Sequence, residues 1–100
     1  MVKRIFITGA ARGLGKELAK RLVLKGHKVF LSGIELDLLK ETASEIGDVA
    51  FCECDVRVLE QVSDALEKAN SALGGLDVIV ANAGTAVQLP IVGGGSRAIL

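Results

Sequence analysis

Four short runs of apolar residues, many of them β-branched, are separated along this chain by longer segments. The runs predict strands over residues 3–8, 29–31, 49–52 and 78–81. The second and fourth runs are uninterrupted, which is typical of strands in a sheet that is covered on both faces.

In the segments between the strands, apolar residues recur every three or four positions, which predicts three helices. The stripes consist of Leu14, Leu18 and Leu22, then Leu39, Ala43 and Ile46, and then Leu59, Val62, Leu66, Ala69 and Leu73. A glycine follows each stripe (Gly26, Gly47 and Gly74), as is common at helix ends. Strands that alternate with helices imply parallel pairing through right-handed crossovers. The pattern therefore predicts one doubly wound α/β unit with four parallel strands.

The last residues depart from this pattern. Pro90 and the glycines at 93–95 interrupt regular structure, and Ser96 would cap a helix that has only begun at the end of the chain. We therefore predict core strands and helices over residues 1–84, and a loop with the start of an incomplete helix over 85–100. The unit is expected to be truncated.

The composition narrows the class of protein. Twelve basic residues balance twelve acidic ones in 100 residues, so no excess of positive charge predicts a nucleic-acid partner. Half of the residues are hydrophobic, which argues against disorder and is high for so small a domain. No apolar stretch is long enough to span a membrane, and two cysteines provide no disulfide framework. A cytoplasmic domain is the expectation.

A glycine-rich segment, Thr-Gly-Ala-Ala-Arg-Gly-Leu-Gly, connects the first predicted strand to the first helix. Gly9 permits a tight turn, Gly13 lets the backbone approach a pyrophosphate, and Gly15 lets the helix pack closely on the sheet. The N–H groups of the first helical turn would face the phosphates. The segment predicts a dinucleotide-binding loop, although its spacing differs from the usual Gly-x-Gly-x-x-Gly.

The end of this segment is also similar to a nucleoside-triphosphate-binding loop, Gly-x-x-x-x-Gly-Lys-[Ser/Thr]. Ala10 stands where that motif requires its first glycine, and Glu17 stands where it requires a hydroxyl for magnesium. A carboxylate at this point would repel a triphosphate. The sequence therefore argues against a nucleoside triphosphatase.

Three motifs in order make the chain resemble the short-chain dehydrogenase/reductase family. They are Thr-Gly-x-x-x-Gly-x-Gly, Asp-Val after the third strand, and Asn-Ala-Gly after the fourth strand. The matching residues are Thr8, Gly9, Gly13, Gly15, Asp55, Val56, Asn82, Ala83 and Gly84. The resemblance covers nearly the whole chain but only the first half of the family's domain. It implies a Rossmann-like fold that binds NAD or NADP.

The resemblance also implies roles for individual residues. Leu14 and its neighbours would offer backbone N–H groups to the pyrophosphate. Asp55 would bind the adenine amino group, and the Val56 N–H would bind a ring nitrogen. The Asn-Ala-Gly motif would border the adenosine ribose and hold the fourth strand in place. Ligands of open α/β sheets bind at the carboxyl ends of the strands, where these motifs converge.

The choice between NADP and NAD depends on charge near the ribose. The second strand ends at Ser32, a candidate cofactor contact, and no carboxylate follows until Glu35. Arg12 lies in the glycine loop, where a cation would pair with the 2′-phosphate of NADP. Ile34 occupies the family's other frequent basic position. We favour NADP and keep NAD as the alternative. Glu35 has two interpretations, a helix-dipole partner or a ribose ligand.

Other candidate groups have simpler interpretations. Cys52 and Cys54 point to the same face of a strand, and a metal would need two further ligands. We predict that both cysteines are small packing residues. His27, the one histidine, follows Gly26 and is predicted to lie in a surface loop. Arg12 has the alternative interpretation of a solvated loop residue.

The family resemblance implies catalysis by a Tyr-x-x-x-Lys pair with an upstream Ser and an Asn in the next helix. This chain has no tyrosine. Two classes of function stay open: the cofactor-binding half of a short-chain oxidoreductase, or a non-catalytic nucleotide-binding or interaction module completed by a partner chain. The first is favoured. In a complete protein, a small-molecule substrate and a homo-oligomer are expected, and the sequence does not specify the substrate.

Overall fold

A computed structural model describes residues 1–82 and the backbone of residues 97–99. The four strands and three helices predicted from the pattern are confirmed, and a fifth strand is added. The elements are β1 Arg4–Ile7, α1 Gly13–Leu24, β2 Lys28–Gly33, α2 Leu36–Ile46, β3 Ala50–Glu53, α3 Leu59–Leu73, β4 Val78–Val80 and β5 Arg97–Ile99.

The strands form one parallel sheet in the order β3-β2-β1-β4-β5. The register places Phe6 of the central strand opposite Phe30 of β2 and Ile79 of β4. The chain builds outward from β1 to β3 and then crosses to the other side of β1. Such a reversal opens a crevice at the carboxyl ends of the strands, between β1 and β4.

Alternating side chains of the strands build two apolar layers. Ile5 and Ile7 face α1 and α2, together with neighbours from β2 and β4. Phe6 and Phe30 stack on the opposite face, with ring centroids 5.9 Å apart, and α3 covers them. The sheet is therefore covered on both faces, as the uninterrupted apolar runs predicted.

The prediction that a helix begins near Ser96 is wrong for residues 97–99. Arg97–Ile99 form β5, which pairs with β4 in parallel register from Val78 opposite Arg97. The unpaired N–H and C=O groups along the edge of β4 provide partners for a short extended segment. An isolated helical turn has no such compensation. Residues 83–96 and 100 lie outside the described residues.

Two of the predicted apolar stripes also need correction at their first residue. Leu14 is 81% exposed and Leu59 is 67% exposed, and both lie in the first turn of their helix. Gly15 and Ala19 are the residues of α1 that are buried. The small side chains let α1 approach the sheet closely, so its contact face is rotated away from Leu14.

Both cysteines lie on the α3 side of the sheet, as packing residues should. Cys54 is buried in that core, and Cys52 packs against it. Burial raises the pKa of the Cys54 thiol to about 11, so it is protonated at neutral pH. His27 is half-buried between α1 and β2, where its Nδ1 accepts a hydrogen bond from the Lys3 N–H at 3.0 Å. Within residues 1–82, no helix is both long and apolar enough to cross a membrane.

A bidentate ion pair closes the end of the sheet opposite the crevice. Arg4 donates from Nε and Nη2 to the Asp77 carboxylate, at 3.0 Å each, and from Nη1 to the Gly74 carbonyl at 2.6 Å. The backbone N–H of Arg4 also donates to Asp77. These bonds hold the start of β1 against the turn between α3 and β4, and they lower the pKa of Asp77 to about 2.

Candidate dinucleotide-binding site

The glycine loop leaves β1 through two left-handed backbone positions. Gly9 has φ of +61° and Gly13 has φ of +62°, values that residues with a Cβ adopt only at a cost. Between them, Arg12 is extended and precedes the first residue of α1. No atom lies within 4 Å of the position that a Cβ on Gly13 would occupy. The loop is therefore open at the point where the sequence predicts a pyrophosphate.

Gly15 is required by packing instead of by its dihedral angles. A Cβ at this position would overlap the Gly9 carbonyl oxygen and lie 2.6 Å from Nδ2 of Asn82. The first turn of α1 is thus pressed against the loop and against the end of β4. This agrees with the close helix packing predicted for the third glycine of the motif.

The first turn of α1 carries no acidic residue. N–H groups in the first turn of a helix lack partners within the helix, and the helix dipole makes this end partly positive. Leu14, in this turn, is 81% exposed. An anionic group can therefore approach this helix end without meeting a carboxylate of the same turn.

Two neighbouring elements brace the loop from behind. The Ala10 N–H donates to the Ser32 carbonyl at 3.0 Å, and Thr42 Oγ1 of α2 donates to the Ala11 carbonyl at 3.0 Å. Thr42 is 1% exposed, and sequence reasoning missed it because a threonine inside a helix carries no motif. Its position one residue before Ala43 of the apolar stripe was the available signal.

Ser32, a predicted cofactor contact, lies inside the sheet. It is fully buried, and its hydroxyl donates to the Ile7 carbonyl at 3.1 Å. Because the hydroxyl already has a buried partner in β1, Ser32 supports the strand and the loop instead of facing the crevice. The two residues that follow β2, Ile34 and Glu35, are exposed.

Thr8 and Asn82 join the ends of β1 and β4. The Asn82 N–H donates to Thr8 Oγ1 at 2.9 Å, and the Thr8 N–H donates to the Val80 carbonyl at 3.0 Å. Thr8 is 1% exposed, and its hydroxyl is hydrogen-bonded between the two strand ends. Ala83 and Gly84 of the predicted motif lie outside the described residues.

Arg12 and Glu35 form an ion pair across the mouth of the loop. Arg12 Nη2 donates to Glu35 Oε2, and their side chains are 68% and 51% exposed. The pair joins the loop after β1 to the loop after β2. Arg12 is therefore not merely a solvated loop residue, and its guanidinium lies beside a carboxylate.

Asp55 follows β3 and is held by Arg57. Nε and Nη2 of Arg57 donate to the two carboxylate oxygens at 3.0 and 2.9 Å, and the Arg57 N–H adds a third bond. These hydrogen bonds lower the pKa of Asp55 to about 2, so the carboxylate is ionised at neutral pH. The Asp55 N–H donates to Gln61 Oε1 at 2.8 Å. Asp55 is thus a fixed hydrogen-bond acceptor.

Asp55 is one of the residues that line an open groove of about 340 Å³ beside β3 and α3. The lining residues are Ile34, Cys52, Glu53, Asp55, Gln61, Asp64, Ala65 and Lys68. Ile34 is 59% exposed, so it offers an apolar surface to the same groove that Asp55 lines. Such a combination suits a flat heterocycle with an exocyclic amino group.

Comparison with known proteins identifies the family. The family model described as short chain dehydrogenase matches residues 3–93. The chain belongs to this family. The family's Rossmann-like fold agrees with the strand order and with the position of the glycine loop.

The relatives are two to three times longer than the chain. A 3-hydroxyacyl-CoA dehydrogenase type-2 of Drosophila melanogaster is 42% identical over 84 residues, which cover 83% of this chain and 33% of the relative. A short-chain type dehydrogenase/reductase from Mycobacterium marinum superposes with a TM-score of 0.78 at 36% identity, covering 83% of this chain and 35% of that one.

A third relative was solved with a bound cofactor. It is a 3-ketoacyl-(acyl-carrier-protein) reductase from Brucella melitensis complexed with NADH, with a TM-score of 0.75 at 34% identity. The match covers 78% of this chain and 33% of that one. The chain thus spans about a third of the length of the relatives that it matches.

Proposed function

We propose that these 100 residues are the NAD(P)(H)-binding part of a short-chain oxidoreductase. The whole protein would transfer hydride between the nicotinamide cofactor and a carbonyl or alcohol of a small-molecule substrate. The observation that carries the proposal is the convergence of the glycine loop, Asp55 and Asn82 at the carboxyl ends of three strands. In an open α/β sheet this is the edge at which dinucleotides bind.

The residues present suit such a cofactor. Gly13 leaves open space beside the first turn of α1, where the pyrophosphate would accept hydrogen bonds from backbone N–H groups, including that of Leu14. The ionised carboxylate of Asp55 can accept from the adenine amino group, with the N–H of Val56 directed to a ring nitrogen. Asn82 would border the adenosine ribose. When bound, the nicotinamide supplies or accepts the hydride.

The acid–base groups of the reaction would come from other parts of the protein. The 100 residues contain no tyrosine, so they cannot supply the Tyr-x-x-x-Lys pair that the family resemblance implies. The contribution of this chain is therefore binding and orientation. Backbone donors fix the phosphates, and Asp55 fixes the adenine, which leaves the distant nicotinamide end to be directed toward the substrate.

We further propose that NADP(H) is preferred over NAD(H), because Arg12 is a cation beside the expected ribose. A 2′-phosphate accepts two parallel hydrogen bonds from a guanidinium, whereas a 2′-hydroxyl gains little from it. Support for NAD comes from the NADH bound to the Brucella melitensis reductase. The charge of Arg12 is the feature of this chain that distinguishes the two cofactors.

The test is a titration of the full-length protein that contains these residues, with NADPH and with NADH, followed by cofactor fluorescence. Arg12→Ala should weaken NADPH binding by about tenfold and NADH binding by less than about twofold, since a charge-assisted phosphate contact is worth roughly 1.5 kcal/mol. Arg21→Ala is the matched control, because Arg21 lies in the last turn of the same helix and pairs with Glu17.

Equal losses of both cofactors on Arg12→Ala would overturn the NADP preference. Absence of binding by either cofactor to the unaltered protein would overturn the proposed function itself. The cytoplasmic location and the homo-oligomeric state expected from the sequence stay predictions, as does the identity of the small-molecule substrate.

A further inference from the structure

The ion pair between Arg12 and Glu35 joins the two loops that flank the expected ribose position. Arg12 is the residue before α1, and Glu35 is the residue before α2. Both loops follow adjacent parallel strands at the same edge of the sheet. The carboxylate of Glu35 therefore pairs with Arg12, the cation on which the proposed preference for NADP depends.

Glu35 has no local role that accounts for this position. It is the N-cap residue of α2, yet its side chain makes no capping hydrogen bond to the helix. Serine, threonine, asparagine and aspartate are the residues that cap well, and glutamate is not among them. A carboxylate attracted by the helix dipole would turn toward the first-turn N–H groups. In this structure it bonds to Arg12 instead.

A phosphate and the Glu35 carboxylate would compete for the same guanidinium. The phosphate carries nearly two charges and more acceptor oxygens, so it displaces an exposed carboxylate. Displacement still requires the ion pair to break, and the freed carboxylate stays near the phosphate because Glu35 is held at the start of α2. Both effects oppose NADP, and neither acts on NAD, whose ribose has no 2′-phosphate.

We propose that Glu35 is a specificity-determining residue that restrains the preference for NADP by acting as the counter-ion of Arg12. The inference rests on the proposed cofactor function and deepens it. NADP(H) binding is set by Arg12 and reduced by Glu35, which keeps the discrimination between the two cofactors small.

The experiment compares NADPH and NADH dissociation constants for Glu35→Gln, which removes the charge with little change in shape. Since exposed ion pairs contribute up to about 1 kcal/mol, NADPH should bind about two- to fivefold more tightly, with NADH changed by less than about twofold. Asp37→Asn is the matched control. Asp37 is exposed, lies in the first turn of the same helix and loses the same charge. It should shift neither constant by more than about twofold.

A second variant separates the counter-ion role from a general charge effect. In the Arg12→Ala background, Glu35→Gln should give less than about half of the gain in NADPH affinity that it gives alone, measured on the logarithmic scale. An undiminished gain in that background would overturn the proposal, because Glu35 would then act on the phosphate without Arg12. An unchanged NADPH constant in Glu35→Gln would also overturn it.

Folding of the variants is checked by thermal unfolding followed by circular dichroism. Glu35→Ser is the substitute if Glu35→Gln is unstable, because serine at an N-cap favours the helix while also removing the charge. It should produce the same gain in NADPH affinity. If the unaltered protein binds both dinucleotides and these variants change nothing, only this inference fails. If it binds neither, the proposed function fails with it.

Discussion

Gly15 shows how strongly one residue is constrained by its surroundings. Its backbone conformation is ordinary, and the restriction comes from the Gly9 carbonyl and Asn82, which occupy the space of a side chain. Gly33 is different, because a Cβ there would make ordinary contacts, 3.8 Å from Ala11 Cβ. The glycines of the site are therefore not equivalent, although a sequence pattern treats them alike.

Gly15→Ala should destabilise the protein by about 1–3 kcal/mol, the usual cost of forcing atoms into a packed interior. It should also weaken NAD(P)H binding at least tenfold, since the loop must shift away from α1. Chemical denaturation and cofactor titration measure the two effects. Gly33→Ala serves as the control and should lower stability by less than about 1 kcal/mol. Equal stability of the two variants would contradict this account of the packing.

At the scale of elements, the site is held by contacts between the ends of strands and helices. Thr42 fixes the glycine loop from α2, and Thr8 joins the end of β1 to Asn82, two residues after β4. At the opposite end of the sheet, the pair of Arg4 and Asp77 ties β1 to the turn before β4. Each contact fastens a loop to an element that is distant in sequence.

Thr42→Val keeps the shape of the side chain but leaves the Ala11 carbonyl without its buried partner. We expect a loss of about 1–3 kcal/mol in the free energy of unfolding. NAD(P)H binding should weaken because the loop is no longer held from behind. Ser44→Ala, an exposed site on the same helix, is the control and should change neither quantity. A stable Thr42→Val protein with normal cofactor affinity would argue against the bracing role.

The ion pair at the opposite end predicts a dependence of stability on pH. Asp77 has a pKa of about 2 in the folded protein and near 3.8 ordinarily, because Arg4 stabilises its charged form. A lowered folded pKa contributes stability that is complete above about pH 4 and is lost as the pH falls toward 2. Asp55 has the same sign and the same window.

The measurement is the melting temperature between pH 2 and pH 7. Asp77→Asn should lower the melting temperature by a few degrees at pH 7 and flatten its decrease below pH 4. Asp55→Asn, at the other end of the sheet, should flatten the remaining decrease. If the melting temperature of Asp77→Asn decreased below pH 4 as steeply as that of the unaltered protein, this pair would not govern stability at low pH.

At the scale of the whole molecule, much of the exposed apolar surface of the described residues lies at one edge of the sheet. Five of the eight large apolar side chains that are exposed lie near the carboxyl ends of β1, β2 and β3. They are Leu14, Ile34, Leu36, Val58 and Leu59. The matched part makes up about a third of these relatives, so about two thirds of each relative lies outside it. In a protein of that length, cofactor or further chain would cover this surface.

We therefore expect the 100-residue chain by itself to aggregate or to be partly unfolded, since exposed apolar patches and free strand edges promote association. Pairing with β5 covers the outer edge of β4, so β3 and β5 form the edges of the sheet in the described part of the chain. Sedimentation and thermal unfolding at several concentrations test the expectation. A monomer with a sharp, reversible melt that is independent of concentration would contradict it.

The sequence by itself determined the order of the elements and the class of the fold. Apolar periodicity is a local property, so the first four strands and three helices could be located from spacing, and the three motifs placed the glycine loop, Asp55 and Asn82 at strand ends. Apolar spacing misled at two positions, because Leu14 and Leu59 match the spacing of their stripes yet lie exposed.

Only the tertiary structure decided which of these residues meet. Arg12 reaches Glu35 across 23 positions, and Thr42 reaches Ala11 across 31. Ser32 was a candidate cofactor contact by its position, and its hydroxyl donates to the Ile7 carbonyl, 25 positions away. The physical reason is common to all three. A side chain's hydrogen-bond partner depends on how strands and helices pack, and a one-dimensional pattern does not contain that information.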